Sequence, residues 1–96
     1  MKKGFTYIMA SQNNRVLYTG STINLIKRVW EHKTKVIPES FTARYNVNKL
    51  VHYEEFERIA EAAEREKQIK AGSRAKKMAL IKKDNPNFDD LSKDWY

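Results

Sequence analysis

The sequence predicts an α+β domain, a small three-stranded antiparallel sheet flanked by helices in the order ββα–turn–βαα. Three observations carry that reading. Two short runs rich in β-branched and aromatic residues flank a polar four-residue connection. A third such run lies past the middle of the chain, and the stretches between and after them repeat apolar residues at helical spacing, punctuated by Pro38 and Gly72. The length, 96 residues, supports one domain with one modest core.

The first strand covers residues 5–10 (FTYIMA), whose two alternating faces are both largely apolar, and the second covers 15–19 (RVLYT). Ser11-Gln12-Asn13-Asn14 connects them. A hairpin closing on that connection pairs Ala10 with Arg15 and Tyr7 with Tyr18. Thr19-Gly20-Ser21-Thr22 ends the second strand, with Ser21 or Thr22 as the helix cap. The helix then runs to about Lys33, with Ile26, Val29 and Trp30 on its apolar face and Leu25 at the margin. Pro38 breaks the next stretch, leaving a short turn around Phe41–Tyr45. Residues 49–56 (KLVHYEEF) form the third strand, and a helix follows from about Arg58 to Ala71. Gly72 ends it and Ser73 caps the last helix, SRAKKMALIKK. Residues 1–83 make the domain; residues 84–96, opened by Asn85-Pro86 and closed by Trp95-Tyr96, form a tail expected to pack back on it.

Composition removes several function classes. There is no cysteine, which excludes disulfides and thiolate zinc sites. His32 and His52 lie too far apart to form a histidine-rich metal cluster alone. No apolar run approaches the roughly 20 residues of a membrane span, and the N-terminus lacks a signal-peptide core, so the expected address is the cytoplasm. Residues 1–83 carry 18 basic and 8 acidic side chains, a balance of +10, while 84–96 carry 1 and 4; together they give the net +7. A basic body with an acidic tail suits a polyanion partner, though a solvated lysine-rich face accounts for the charge equally well.

Three patterns go further. Two tyrosines stand side by side on one sheet face, an arrangement that stabilises sheets and that, at a cleft, can serve chemistry. On the first helix Asn24, Arg28 and His32 share a stripe beside the apolar face, and arginine's fork matches phosphate. On the helix from Arg58, Ile59, Ala62, Ala63 and Ile69 make an apolar stripe with Glu66 in its middle. A carboxylate there is costly unless it pairs with an arginine or binds a hard cation, and both readings stand. Taken together the five residues suit a one-metal phosphodiesterase. A phenol could orient or deprotonate water, Arg28 would offset phosphoryl charge, and a cation at Glu66 would assist the leaving oxygen.

These residues resemble the GIY-YIG nuclease superfamily, through Tyr7-Ile8, Tyr18-Thr19-Gly20-Ser21, Asn24-Leu25, Arg28, His32 and the segment Ala62–Lys70. The likeness runs over residues 4–83 and is nearest to a small stand-alone bacterial branch, akin to the nuclease domain of the bacterial excision-repair endonuclease. It implies hydrolysis of a DNA phosphodiester with Mg²⁺, or Mn²⁺, and a place in DNA repair or recombination. By position Tyr7 and Tyr18 match the motif tyrosines, Arg28 the catalytic arginine, Glu66 the metal-binding glutamate, and His32 a histidine able to relay a proton. Which tyrosine is the base stays open, as does Glu64 as a fallback ligand. The motifs depart from the family name, reading Thr-Tyr-Ile and Tyr-Thr-Gly, but no polar catalytic side chain is lost.

The expected DNA contacts are Lys27, Arg44, Lys49, Lys67, Lys70, Arg74, Lys76 and Lys77. With no further DNA-binding domain in this sequence, low sequence specificity is expected, with a protein partner or a second copy supplying any targeting. The alternatives are a nucleic-acid-binding module with little or no catalysis, and an adaptor that docks a partner through its acidic, aromatic tail.

Overall fold

A computed structural model describes residues 2–96. The chain forms β1 (Gly4–Ser11), β2 (Leu17–Thr22), α1 (Leu25–Thr34), α2 (Phe41–Arg44), β3 (Val47–Phe56), α3 (Ile59–Ala71) and α4 (Arg74–Asp84). The three strands are antiparallel in the order β2-β1-β3, so the α+β class and element order are those the sequence predicts.

The central strand explains the layering. Along β1, Tyr7 and Met9 point to one face and Ile8 and Ala10 to the other, and all four are buried. Tyr7 and Met9 pack with Leu25 and Val29 of α1 and with Val47 and Leu50. Ile8 and Ala10 pack with Val51, Ile69, Ile81 and Phe88. The sheet is thus covered on both sides, by α1 on one and by α3 and α4 on the other. The α3 approach is close, because a Cβ on Gly4 would meet the Ile59 Cα at 2.6 Å. The buried Thr6 hydroxyl fastens the same crossing by donating to the Ala62 carbonyl at 2.7 Å.

The hairpin register differs from expectation by two residues. Tyr7 lies opposite Gly20 and Met9 opposite Tyr18. Side-chain bonds inside the connection cause this. Asn13 Oδ1 accepts from the Ser11 hydroxyl and the Arg15 amide, and Ser11 Oγ accepts from the Val16 amide. These local bonds move the closing pair out to Ser11 and Val16. An even slip keeps every side chain on its own face, so the two tyrosines become diagonal neighbours there, ring centroids 6.3 Å apart. The second strand also runs on through Gly20 to Thr22, and Asn24, rather than Ser21 or Thr22, caps α1 through its bond from the Lys27 amide.

The buried face of α1 is Leu25, Val29 and His32, whereas Ile26 (58%) and Trp30 (46%) are exposed, contrary to the expected stripe. The sheet meets the helix one position away from its most apolar line, because His32 is taken inward by polar partners described below. Beyond α4 the chain lies along the outer edge of β3. The Leu91 amide donates to the Leu50 carbonyl at 2.8 Å, Asp90 accepts the Leu50 amide, and Asn85 donates to the Val51 carbonyl. Asp90 also pairs with Lys33 of α1, and Phe88 is buried.

Candidate active site

The site is built around the edge strand β2. Residues of β1 and β2 that share the Tyr7 face include Tyr18 and Gly20; those that share the opposite face include Thr6 and Ser21. The phenols therefore meet α1, while Ser21 meets α3. Gly20 lets the first group close up: a Cβ there would lie 2.6 Å from the Tyr7 hydroxyl and 2.8 Å from its Cζ. The backbone at Gly20 is not left-handed, so the need for glycine is one of space alone.

On the α1 side, the Tyr7 hydroxyl and His32 Nε2 are hydrogen-bonded at 2.9 Å, and His32 Nδ1 is bonded to Thr42 Oγ1 at 2.8 Å. All three side chains are buried. Burial, with the Arg28 charge nearby, lowers the His32 pKa to about 4, so the ring is neutral at ordinary pH. A neutral ring donates from one nitrogen and accepts at the other. In the tautomer protonated at Nδ1, the ring donates to Thr42 and Nε2 accepts the Tyr7 hydroxyl; in the other tautomer both directions reverse. Burial pushes the Tyr7 phenol well above its ordinary pKa, partly offset by the adjacent Arg28 guanidinium. The Tyr18 ring stands 5.4 Å from the His32 ring and lines an open groove. Arg28 is half-exposed and pairs with Glu31 at 3.3 Å.

On the α3 side, Glu66 Oε1 accepts the Ser21 hydroxyl at 2.6 Å and Glu66 pairs with Lys70 one turn on. Partial burial opposes ionisation, but the bonds from Lys70 and Ser21 outweigh it and hold the carboxyl below its ordinary pKa. The charged partner of Glu66 is thus a lysine of its own helix, not the arginine that sequence reasoning offers. Glu64 is exposed, and Glu61 caps α3 by accepting the Arg58 amide.

Among the described residues no three carboxylates or imidazoles converge on one point. A single ionised carboxylate with one oxygen oriented by a hydroxyl suits an ion that keeps most of its waters and takes its other ligands from phosphate, as Mg²⁺ or Mn²⁺ does. The oxygen-only donor set fits such a hard ion.

The expected DNA contacts separate into two groups. Lys27, Lys67 and Lys76 are exposed, and Lys27 shares a polar groove with Ser21, Asn24 and Arg28. Lys70 and Lys77 line the groove beside Tyr18, and Arg44 is exposed over the Tyr45 ring. Lys49 and Arg74 are turned to structural work. Lys49 is only 8% exposed and donates to Asn14 Oδ1 at 2.6 Å, while Arg74 donates to the Asn14 carbonyl. Both fasten the β1–β2 connection, where Asn14 is left-handed and its polar groups need partners. Lys49 is therefore corrected from the DNA-facing set.

Sequence reasoning misses Ser21 and Thr42. Ser21 reads as a helix cap, and extension of β2 by three residues is what aims it at α3. Thr42 comes from α2, ten positions after His32 across a proline-broken stretch, where no periodicity connects them.

The short antiparallel sheet thus bears paired tyrosines, with an arginine and a histidine on the following helix and a glutamate on the later one. The GIY-YIG catalytic domain family model matches residues 3–79, and the chain belongs to that family of nuclease domains. Its relatives include UPF0213 proteins. One from Syntrophus aciditrophicus is 40% identical over 86 residues, spanning 90% of this chain and 97% of that protein. One from Natronomonas pharaonis is 38% identical over 77 residues, 80% of this chain and 88% of that protein. The solution NMR structure of a UPF0213 protein from Bacillus halodurans superposes with a TM-score of 0.58 at 22% identity, over 96% of this chain and 97% of that one, a likeness of fold.

Proposed function

We propose that the protein is a metal-dependent DNA endonuclease of low sequence specificity. The observation that carries this reading is the gathering around β2 of a phenol bonded to a neutral imidazole, a second phenol facing a groove, a guanidinium and an ionised carboxylate. Family membership supports it.

In this reading a scissile phosphate enters between Arg28 and Glu66. Arg28 offsets the charge that grows on the phosphoryl oxygens, the kind of term that usually dominates such reactions. The half-buried Tyr18 hydroxyl orients the attacking water. His32, hydrogen-bonded to the Tyr7 hydroxyl, fixes its position. Ser21 and Lys70 keep Glu66 ionised and aimed. A divalent cation held by Glu66 would supply positive charge against the leaving oxygen.

The test is cleavage of plasmid DNA in Mg²⁺ and in Mn²⁺ by Arg28→Ala and Glu66→Gln. Each is expected to lose about 100-fold or more in rate while keeping the parent's circular dichroism. Either variant cutting as well as the parent would sink the proposed site. One observation favours a second reading, a binding module of the same fold. The Lys70 ammonium already satisfies Glu66 and would have to yield to a metal. In that case neither metal supports cleavage, and DNA affinity falls with salt and ignores both substitutions.

A further inference from the structure

Beside the site lies an aromatic surface that phosphodiester chemistry does not use. The α1–α2 connection and the α2 region expose Val36, Ile37, Phe41 and Tyr45, although Ala43 and Val47, only a few residues away, are buried. Phe41 is 47% exposed and Tyr45 48%. They are not scattered. The Phe41 centroid lies 6.1 Å from the Tyr18 ring and 4.9 Å from the Tyr45 ring. Tyr18, Phe41 and Tyr45 thus form a row leading out from the site.

The row is edged by cations. The Arg44 guanidinium sits over the Tyr45 ring, 5.9 Å from its centroid. Across the groove from Phe41 and Tyr18 stand Lys70 and Lys77. One wall therefore offers flat π faces and the other ammonium groups. A paired duplex turns its base faces inward and meets a protein with phosphates and groove edges, so exposed rings gain nothing from it. A single strand has both features to give, phosphates along one side and base faces along the other.

We infer that the row Tyr18–Phe41–Tyr45 is a base-stacking platform, and that the site takes single-stranded DNA or an unpaired flank of a duplex. The unpaired bases lie on Phe41 and Tyr45 while Lys77 holds the backbone, feeding the adjoining phosphodiester toward Arg28. This deepens the nuclease reading and rests on it for the identity of the polymer.

The experiment is binding in EDTA, where no cleavage occurs, of fluorescein-labelled oligodeoxythymidine, a duplex of equal length and oligouridine, with 2-aminopurine emission as the stacking signal. The full chain is compared with Phe41→Leu, which keeps apolar bulk without a π face, Phe41→Trp, which keeps the face, and Tyr45→Ala. The expected result is tighter binding of the single strand than of the duplex, with quenching of 2-aminopurine. Phe41→Leu and Tyr45→Ala should each lose about tenfold in single-strand affinity, Phe41→Trp should restore it, and duplex affinity should stay level. Equal affinity for strand and duplex, or full affinity with Phe41→Leu, overturns the platform and leaves the nuclease reading intact. Tighter binding of oligouridine overturns the assignment to DNA. Binding of none of the three, with cleavage of plasmid also absent, overturns the nuclease reading itself.

Discussion

Gly20→Ala should damage the site from within the sheet. An added methyl would lie 2.6 Å from the Tyr7 hydroxyl and 2.8 Å from Cζ, where ordinary contact begins at 3.4 Å. The phenol or the strand must give way by about 0.8 Å, the gap between the 2.6 Å approach and the 3.4 Å contact. Tyr7 has little freedom, being buried on the central strand with its hydroxyl tied to His32 at 2.9 Å. A displacement of that size exceeds the few tenths of an ångström a hydrogen bond tolerates. Overpacking costs about 1–3 kcal/mol and the lost bond about 1 kcal/mol. Alanine recovers about 0.5 kcal/mol by restricting the unfolded chain. The net expectation is a loss of about 1.5–3.5 kcal/mol, read as a lower urea midpoint with an unchanged slope. Cleavage should fall about 100-fold, as when reacting groups are misplaced by an ångström. Tyr7→Leu in the same chain should remove most of the added instability, because the clash partner is gone. A Gly20→Ala protein as stable as the parent, with unchanged His32 ring resonances, would refute the steric argument.

Three further outcomes follow from the same contacts. His32 has its folded pKa depressed to about 4 against about 6.5 when unfolded, so its contribution is complete above pH 6.5 and is lost as pH falls toward 4. A dry ring would make that loss roughly 3 kcal/mol, and solvent at the ring's edge reduces it to about 2 kcal/mol; urea midpoints between pH 7 and 4 should decline less steeply in His32→Gln. Glu54 accepts from Arg65 at 3.0 Å and contacts His52 at 2.7 Å, bonds that overcome partial burial and hold its carboxyl low. Its stabilisation is present above the unfolded carboxyl pKa and fades as pH falls through the folded one, so Glu54→Gln should lower the thermal midpoint at pH 7 and converge with the parent in acid. Phe88→Ala empties a buried site and should cost about 3 kcal/mol by denaturation. A loss below about 0.5 kcal/mol would mean that this aromatic contributes nothing beyond a surface residue.

Periodicity and punctuation make much of the architecture legible. Gly72, Ser73 and Pro38 mark boundaries by backbone rules that hold locally, and the two-residue repeat of a strand puts Tyr7 and Tyr18 on one face under any even slip. The three-to-four repeat likewise singles out Glu66 within its stripe. What escapes depends on side chains reaching across the fold. The hairpin register is set by Ser11 and Asn13 bonding to backbone, and the turn of α1 by two polar partners that draw His32 in ahead of Ile26 and Trp30. Lys49 reads as a surface cation because nothing in its neighbourhood announces Asn14, thirty-five positions earlier. Ser21 and Thr42 matter only once β2 and α2 are in place.

The sealing of β3 by the segment after α4 also sets an order of events during synthesis. The β1–β2 hairpin can form as soon as its own residues are made, and β3 can join it some thirty residues later. The outward amide and carbonyl of Leu50 then wait for Asp90 and Leu91, forty positions further along. Through that interval the growing chain carries an open strand edge flanked by apolar residues, the kind of edge that recruits strands from other chains. Slow elongation or a premature stop within residues 57–89 would hold the protein in this state. A chain ending before Asp90 would thus keep the Leu50 edge unpaired however stable the finished fold is.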